Sequence, residues 1–148
     1  SKGIDVSQHN GVVDWARAKA AGVEFAILRL GYGSDQADQD DAQFTANVAG
    51  CEANGIPWGA YLYSYATHLD QAESEAAHIL RLLSGRVPLY PVYIDMEDAD
   101  GYKAKHGVPT AMCADICAVV CQRLTEAGCL AGVYASKDWF ENRLNDAR

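Results

Sequence analysis

The sequence predicts a single α/β domain with mostly parallel strands. Short apolar runs alternate with longer amphipathic segments along the chain, which is the pattern of repeated βα units. Glycine follows most of the amphipathic segments, at positions where helices end. The 148 residues contain no linker or low-complexity tract, and a chain of this length suits one hydrophobic core. About five βα units favour either a β/α barrel or an open doubly wound sheet.

The first half of the chain is predicted to contain three strands and two helices. A turn at Asn10-Gly11 precedes the first helix, which ends at Gly22. A polar, Asp-rich loop over 34–40 leads into the second helix, which Asn54-Gly55 terminates. In chain order, the predicted elements are a strand at 3–7, a helix at 13–21, a strand at 24–30, a helix at 41–53 and a strand at 57–65.

The second half continues the same alternation. One helix has apolar residues at helical spacing and ends before Gly85. A polar loop containing Gly101, Gly107 and Pro109 precedes the next helix, which ends at Gly128. The predicted elements are a helix at 70–83, a strand at 91–97, a helix at 110–127, a strand at 130–136 and a helix at 137–146.

The composition argues against nucleic-acid and membrane partners. The formal net charge is −8 at pH 7, whereas nucleic-acid binders gain affinity from clustered Lys and Arg. The longest apolar stretches, such as residues 56–63, are far shorter than the roughly 20 residues of a membrane-spanning helix. The first residues lead directly into a predicted strand, without the pattern of a signal peptide.

Three acidic residues are predicted to meet at one edge of the sheet. Asp95 and Glu97 end the fourth strand at two-residue spacing, so their side chains and that of Tyr93 point to the same face. Asp5 ends the first strand, and the carboxyl ends of parallel strands converge where catalytic groups collect. An isolated Asp-x-Glu would more often cap a helix or face solvent, and Asp98 is expected to do so.

Such converging carboxylates suit glycoside hydrolysis. In a partly desolvated cleft they raise one another's pKa, so one group can stay protonated while another is charged. One carboxyl group protonates the leaving oxygen, and the other stabilises an oxocarbenium-like centre, acts as a nucleophile or activates water. Glu97 is the expected acid because its side chain has the longer reach.

Four tyrosines near strand ends are candidate substrate-binding residues. The flat faces of Tyr63, Tyr65, Tyr93 and Tyr134 can pack on sugar rings, and their hydroxyl groups can form hydrogen bonds with sugars. Core packing is the alternative for each of them. It is the expected place for Tyr61.

Arg29 is a further candidate for substrate binding. It shares strand parity with Phe25 and Ile27, so it can point inward and pair with the acids. An ion pair on the outer face is the equally supported alternative.

Three cysteines recur every four residues, at Cys113, Cys117 and Cys121, and therefore share one helical face. Structural zinc sites use closer pairs with a second pair of ligands elsewhere. We expect these cysteines to be small buried apolar residues, and we expect no metal.

Several motifs, found in the family's order, resemble family 25 lysozymes. The most specific is GIDVSQHNG at 3–11, followed by VDW at 13–15. The others are FAILRLGYG at 25–33, GAYLYSYA at 59–66, DME at 95–97 and GVYAS at 132–136. The resemblance implies an irregular TIM-like β/α barrel that acts as an N-acetylmuramidase on the β-1,4 bond between N-acetylmuramic acid and N-acetylglucosamine in bacterial peptidoglycan.

The same resemblance implies roles for the three acids. Glu97 corresponds to the acid/base, and Asp95 either stabilises positive charge or positions the substrate acetamido group for neighbouring-group attack. Asp5 would tune the pair and hold it in register. No metal or organic cofactor is implied. A secreted or cell-wall-associated protein is expected, with a phage endolysin as an alternative.

The family pattern continues beyond this sequence. Roughly three more strands, another active-site Asp and aromatic residues are expected after Arg148, so residues 1–148 are interpreted as a single truncated catalytic domain. Open sheet edges would then allow self-association. The alternative function is a non-catalytic peptidoglycan-binding or interaction protein on the same scaffold.

Overall fold

The computed structural model describes residues 2–97 and 100–134. Within them, strands and helices alternate as the sequence predicts. The strands are β1 (Gly3–Val6), β2 (Phe25–Tyr32), β3 (Trp58–Tyr63), β4 (Val92–Asp95) and β5 (Ala131–Tyr134). The helices are α1 (Trp15–Ala20), α2 (Phe44–Ala53), α3 (Leu69–Leu83), α4 (Tyr102–Lys105) and α5 (Thr110–Glu126). Short 3-10 turns occupy Gln8–Asn10 and Ala37–Gln39.

The strands of this sheet are all parallel, and they pair in the order of the chain, β1-β2-β3-β4-β5. In a doubly wound sheet the strand order reverses at a switch point, and helices cover both faces. An unbroken order is instead the winding of a β/α barrel, with its right-handed crossovers on one side. The described residues therefore form part of an irregular β/α barrel, and this decides between the two architectures that the sequence left open.

The two faces of the sheet differ in chemistry. One face packs under the helices and is fully buried and aliphatic. Its residues are Ala26, Leu28, Leu30, Ala60, Leu62, Val92 and Ile94, each 0% exposed. The intervening positions carry larger and more polar side chains that are half-buried. They include Ile27, Arg29, Tyr61, Tyr63 and Tyr93. The core thus lies between the sheet and its helices, and the opposite face is available for a site.

Two helices begin later than the sequence predicts, and an aspartate side chain accepts a backbone N–H at the start of α1 and in the turn before α2. Asp14 precedes α1, and its carboxylate accepts the N–H of Arg17 at 3.0 Å. Asp41 lies before α2, and its Oδ1 accepts the N–H of Gln43 at 2.9 Å. The Asp14 carboxylate thus caps α1, whereas the Asp41 side chain bonds within the turn that precedes α2.

The loop after β4 contains an element that the sequence did not predict. The four-residue helix α4 interrupts the expected polar loop. Its Lys103 is 0% exposed, and Nζ donates to Ser64 Oγ at 3.0 Å and to the carbonyl oxygen of Ala66 at 2.7 Å. A buried ammonium group needs hydrogen-bond acceptors of this kind. The lysine on this short helix therefore holds the backbone that follows β3 in place.

Some sequence predictions concern positions outside the described residues. They are the placement of Asp98, the last two residues of the predicted strand at 130–136, and the predicted helix at 137–146. Within the described part of the chain, helices lack the combined length and hydropathy that crossing a membrane requires.

The cysteines on α5 are packed as the sequence predicts. Cys113 and Cys117 are buried, Cys121 is half-buried, and all three lie outside disulfide bonds. Burial is the main cause that raises the pKa of Cys117 to about 12. Burial also raises the pKa of Cys121, so both of these thiols stay protonated and behave as small apolar side chains.

Candidate active site

A pocket of about 250 Å³ opens on the inner face of the sheet, where every strand or its carboxyl end contributes to the wall. Its lining residues are Asp5, Ile27, Tyr61, Tyr93, Asp95, Glu97 and Tyr134. The strand register explains the convergence, because Asp5 pairs with Ile27 and Asp95 pairs with Tyr134 on neighbouring strands. The three acids that the sequence predicted to converge therefore share one pocket.

Asp95 and Glu97 form a carboxyl pair at the end of β4. Asp95 is only 5% exposed, and its Oδ1 accepts the backbone N–H of Glu97 at 3.0 Å. Burial raises the pKa of Asp95 to about 6, against an ordinary value of 3.8. The charge of Glu97 and a hydrogen bond between the two carboxyl groups also raise this pKa, whereas the Glu97 N–H lowers it. Near pH 6 and below, the pair therefore holds a proton.

Asp5 is the exposed member of the three acids. It lies close enough to two pocket tyrosines for its charge to raise their pKa values. Burial is the main cause that raises the pKa of Tyr61 to about 12, and the charge of Glu97 is the main cause for Tyr134. Both phenols therefore keep their protons at neutral pH and can donate hydrogen bonds into the pocket.

Arg29 points inward, on the same face as Ile27. Its Nη1 lies 3.7 Å from Asp41 Oδ2, and its guanidinium carbon lies 5.6 Å from the centre of the Tyr32 ring. Its charge also lowers the pKa of Asp95, although burial outweighs this effect. The inward alternative is thus the observed one, but the ion-pair partner of Arg29 is Asp41 rather than a pocket acid.

Asp41 is a supporting residue that the sequence analysis missed. Its side chain is 0% exposed, and Oδ2 accepts the N–H of Gln8 at 2.8 Å. It therefore ties the segment after β1 to the start of α2 and holds Arg29 beside the pocket. The sequence showed it only as the first residue of a predicted helix. The sequence did contain one signal. Arg29 stands at an inward strand position, and a partly buried arginine needs an acidic partner such as Asp41.

The tyrosines divide between two places. Tyr93 and Tyr134 line the pocket with their rings edge to face, at 6.5 Å between centroids. Tyr61 also lines the pocket, so its expected core position was wrong, because it shares the inward parity of Tyr63. Tyr63 and Tyr65 lie beside this pocket, with their ring centroids 5.1 Å apart. Contact between these tyrosines and a substrate stays a prediction.

No group of three or more His, Cys, Asp or Glu side chains among residues 2–97 and 100–134 is arranged to hold a metal ion. The chemistry that the pocket residues offer is that of carboxyl groups and phenols.

A β/α fold whose strands bring paired carboxyl groups into one pocket is an architecture of the glycoside hydrolases. Residues 4–148 match the family described as glycosyl hydrolases family 25. The chain belongs to that family, which confirms the resemblance drawn from the motifs.

Solved structures show the same fold. The modular autolysin LytC of Streptococcus pneumoniae, in complex with a synthetic peptidoglycan ligand, is 29% identical with a TM-score of 0.84, covering 97% of this chain and 34% of LytC. A family 25 glycosyl hydrolase of Bacillus anthracis is 22% identical with a TM-score of 0.80, covering 99% of this chain and 65% of that chain. A lysozyme of Streptomyces coelicolor is 23% identical with a TM-score of 0.72, and the match covers 95% of this chain and 66% of that chain.

Sequence similarity to a curated protein points the same way. Lysozyme M1 of Streptomyces globisporus is 35% identical over 63 residues, which are 43% of this chain and 20% of that protein. The chain thus spans a fifth of the length of this relative and between 34% and 66% of the three solved chains.

Proposed function

We propose that the chain carries catalytic carboxyl groups of an N-acetylmuramidase, which hydrolyses the β-1,4 bond between N-acetylmuramic acid and N-acetylglucosamine in bacterial peptidoglycan. The observation that carries this proposal is the pair of Asp95 and Glu97 in the pocket, with the pKa of Asp95 raised to about 6 by burial. Membership of family 25 supports the reaction type. The peptidoglycan ligand of the similar autolysin LytC supports the substrate.

Glu97 is the proposed acid/base. It follows the end of β4 and is half-buried, so it is the more accessible member of the pair. A proton held by the pair can pass from Glu97 to the leaving glycosidic oxygen. The negative charge that remains on the pair then stabilises the oxocarbenium-like sugar, and in the second half of the reaction Glu97 takes a proton from water.

Asp95 acts in one of two ways in this proposal. It stabilises positive charge on the sugar directly, or it positions the acetamido group for neighbouring-group attack. The hydrogen bond from the Glu97 N–H fixes the orientation of its carboxyl group for either role. Asp5 tunes the charge of the pair from the exposed side of the pocket.

The pocket tyrosines complete the proposed substrate site. Tyr61, Tyr93 and Tyr134 offer aromatic faces to a sugar ring and hydroxyl groups to its oxygens. Arg29 supports the site through its charge near Asp95. Because peptidoglycan lies outside the cell membrane, we place the action of the protein in the secreted or wall-associated compartment, with a phage endolysin as the alternative source.

A non-catalytic peptidoglycan-binding protein on this scaffold is the second candidate. The observation that favours it is the set of pocket tyrosines, Tyr61, Tyr93 and Tyr134, whose aromatic faces suit a sugar ring whether or not a bond is cleaved. A binding protein needs only the pocket walls, whereas catalysis needs every reacting group.

The test is to incubate the purified chain with peptidoglycan and to identify the released reducing ends by mass spectrometry. We expect N-acetylmuramic acid at the new ends. Glu97→Gln is expected to release at least about 100-fold fewer ends with the fold intact, because proton transfer contributes that much to such reactions. Glu52→Gln, which alters an exposed carboxylate on α2, is the matched control and should keep full activity.

Full activity of Glu97→Gln would contradict the proposed mechanism. A longer family 25 domain that contains this sequence should be assayed beside the chain. If neither releases reducing ends but both bind peptidoglycan saturably, the binding-protein candidate takes precedence.

A further inference from the structure

A second pocket of about 420 Å³ lies beside the first at the same edge of the sheet. It is lined by Tyr32, Gly33, Ser34, Gln36, Gln39, Tyr65, Gln71 and Tyr102. None of these residues is an acid or a base, and the proposed catalytic groups are not among them. We call it the Tyr65 pocket.

One wall of the Tyr65 pocket is aromatic and held in place by ring packing. The ring of Tyr65 packs edge to face against Tyr32 at 5.7 Å and against Tyr102 at 5.0 Å between centroids. The ring of His106 also stacks on that of Tyr102, with their centroids 4.1 Å apart. The Tyr65 hydroxyl is also fixed, because it donates to Asp100 Oδ2 at 2.6 Å. A rigid aromatic wall of this kind offers flat faces to a ring-shaped ligand at little cost in side-chain entropy.

The other wall carries side-chain amides. Gln39 is structural, because its Nε2 donates to the carbonyl oxygens of Tyr32 and Ser34 at 2.8 and 3.1 Å. Gln71 accepts from the N–H and the hydroxyl of Thr67 through Oε1, at 2.8 and 2.9 Å, which leaves its amide NH2 as a donor. Gln36 is exposed on the same rim. Amide groups of this kind match the hydroxyl and acetamido groups of an N-acetylated sugar.

The charge around the Tyr65 pocket distinguishes a sugar from a peptide of the cell wall. Wall stem peptides carry free carboxylates, and the lining residues that the structure describes include no Lys or Arg to pair with them. Asp100 at the rim adds a negative charge, and the hydrogen bond from Tyr65 is the main cause that holds its pKa below the ordinary value. An acidic peptide would be repelled here, whereas a neutral N-acetylhexosamine carries no charge to compensate.

The sheet register places the two pockets within reach of one glycan strand. Tyr63 pairs with Tyr32 on one side and with Asp95 on the other. Adjacent strands are about 4.8 Å apart, so Tyr32 and Asp95 are separated by roughly 10 Å along the sheet. The ring of Tyr63 lies between them and packs against Tyr65. An oligosaccharide held at the first pocket can thus continue across Tyr63 into the Tyr65 pocket.

We propose that the Tyr65 pocket is a subsite that binds a neutral N-acetylhexosamine residue of the glycan strand, some distance from the bond cleaved at Asp95 and Glu97. This proposal rests on the proposed function for the identity of the strand. It assigns Tyr102, Gln36 and Gln71 to substrate binding. Long glycans should therefore bind more tightly than short ones.

The test measures binding by calorimetry in the Glu97→Gln background, with the β-1,4-linked pentamer and dimer of N-acetylglucosamine as probes. Tyr102→Leu removes the aromatic face and is expected to weaken pentamer binding about five- to tenfold, with the dimer unchanged. Tyr102→Phe keeps the ring and should restore pentamer binding. Gln36→Ala changes an exposed side chain and is expected to weaken pentamer binding about threefold. Gln122→Ala, an exposed glutamine on α5, is its matched control.

Three results would overturn the subsite. They are no measurable binding of the pentamer, equal pentamer affinity in Tyr102→Leu and its parent, or an equal loss for dimer and pentamer. Hydrolysis by the unaltered chain is measured separately. If pentamer binding is lost as expected but the unaltered chain releases no muramic-acid ends, the subsite stands and the muramidase proposal fails. If the unaltered chain hydrolyses peptidoglycan but the pocket variants bind the pentamer normally, the muramidase proposal stands and the subsite fails.

Discussion

At the scale of single residues, the three pocket carboxylates differ mainly in how much water each one keeps. Asp95 is buried, Glu97 is half-buried and Asp5 is exposed. Desolvation penalises the charged form of a carboxyl group. Asp95, the most buried of the three, is therefore the hardest to ionise, and it lies next to Glu97, the proposed proton donor. One proton shared by Asp95 and Glu97 is the state that the proposed reaction needs.

This arrangement predicts how the rate depends on pH. The pair carries one proton while Asp95, with a pKa of about 6, remains protonated or shares its proton with Glu97. We expect kcat/KM for peptidoglycan to fall as the pH rises through about 6, because the doubly ionised pair has no proton to donate. Rates measured from pH 4 to 9 would check this. A rate that stays level up to pH 9 would contradict it.

Asp95→Asn is predicted to inactivate the chain and to stabilise it. In the folded state the pKa of Asp95 is about 6 against an ordinary value of 3.8, so the folded chain binds more protons between these pH values. The free energy of unfolding therefore falls as the pH rises from about 4 to about 6. The asparagine variant lacks this loss and should be more stable at pH 7 by roughly 1–3 kcal/mol.

Urea unfolding of both proteins at pH 4 and pH 7 measures this effect. The two curves should nearly coincide at pH 4 and separate at pH 7. Equal stability at both pH values would show that burial of Asp95 has no such cost.

The sequence located the acids but not the environment of each. Two-residue spacing along a strand was enough to place Asp95 and Glu97 on one face, and convergence of strand ends brought in Asp5. Asp41 was missed because its role depends on Arg29, which approaches it only in the folded chain. Tyr61 has the same strand parity as Tyr63, and this parity alone is enough to place its side chain on the pocket face.

At the scale of elements, the end of β2 shows how a strand is shaped by its neighbours. The register with β3 shifts between Arg29 and Gly31, and Gly31 also bridges Asp40. Asp40 in turn pairs with Arg81 at 2.6 Å and with the buried ring of His78 at 2.7 Å, both on α3. The loop between β2 and α2 is therefore fastened to α3, and it forms one side of the Tyr65 pocket.

Gly31→Ala is predicted to destabilise the fold. Gly31 has a φ of 153°, and a Cβ atom there would collide with the backbone carbonyl oxygen of Gln39. We expect a loss of roughly 2–4 kcal/mol in the free energy of unfolding, because a backbone atom cannot move aside as a flexible side chain can. The matched control is Gly101→Ala, where φ is 73° and ψ is 13° but nothing lies within 4 Å of the added atom.

The control should lose only about 1–2 kcal/mol, the cost of the left-handed conformation alone. Thermal or urea unfolding of the two variants gives the comparison. If both lose the same amount, the close approach of the 34–40 loop to β2 does not constrain the strand.

Periodicity and glycine positions predicted four of the helices within a few residues, and the strands almost as well. They could not predict α4, because a four-residue helix has little stability of its own. It forms around Lys103, whose buried ammonium bonds to the end of β3. A polar loop was the reasonable expectation from local sequence, since burial of a lysine is decided by tertiary contacts.

At the scale of the whole molecule, charge governs the approach to the proposed substrate. The chain has a formal net charge of −8 at pH 7. Peptidoglycan carries stem-peptide carboxylates, so long-range electrostatics would oppose the proposed encounter, and we expect binding to depend on short-range contacts in the two pockets.

The rate on peptidoglycan is therefore predicted to rise with salt. Increasing the ionic strength from about 10 mM to about 150 mM shortens the Debye length from about 30 Å to about 8 Å and screens the repulsion. We expect a several-fold rise in kcat/KM for wall fragments, and less than about a twofold change in binding of the neutral N-acetylglucosamine pentamer. A fall in the rate on wall fragments would mean that a local positive region attracts the polymer.

The unbroken strand order also bears on how the molecule is made. Each strand pairs with the strand synthesised immediately before it. A chain emerging from the ribosome at roughly 5–20 residues per second thus presents each βα unit to an edge that already exists. None of the five described strands has to insert between two strands that formed before it. The nascent chain can fold unit by unit, and a pause in translation leaves a shorter sheet rather than a wrongly ordered one.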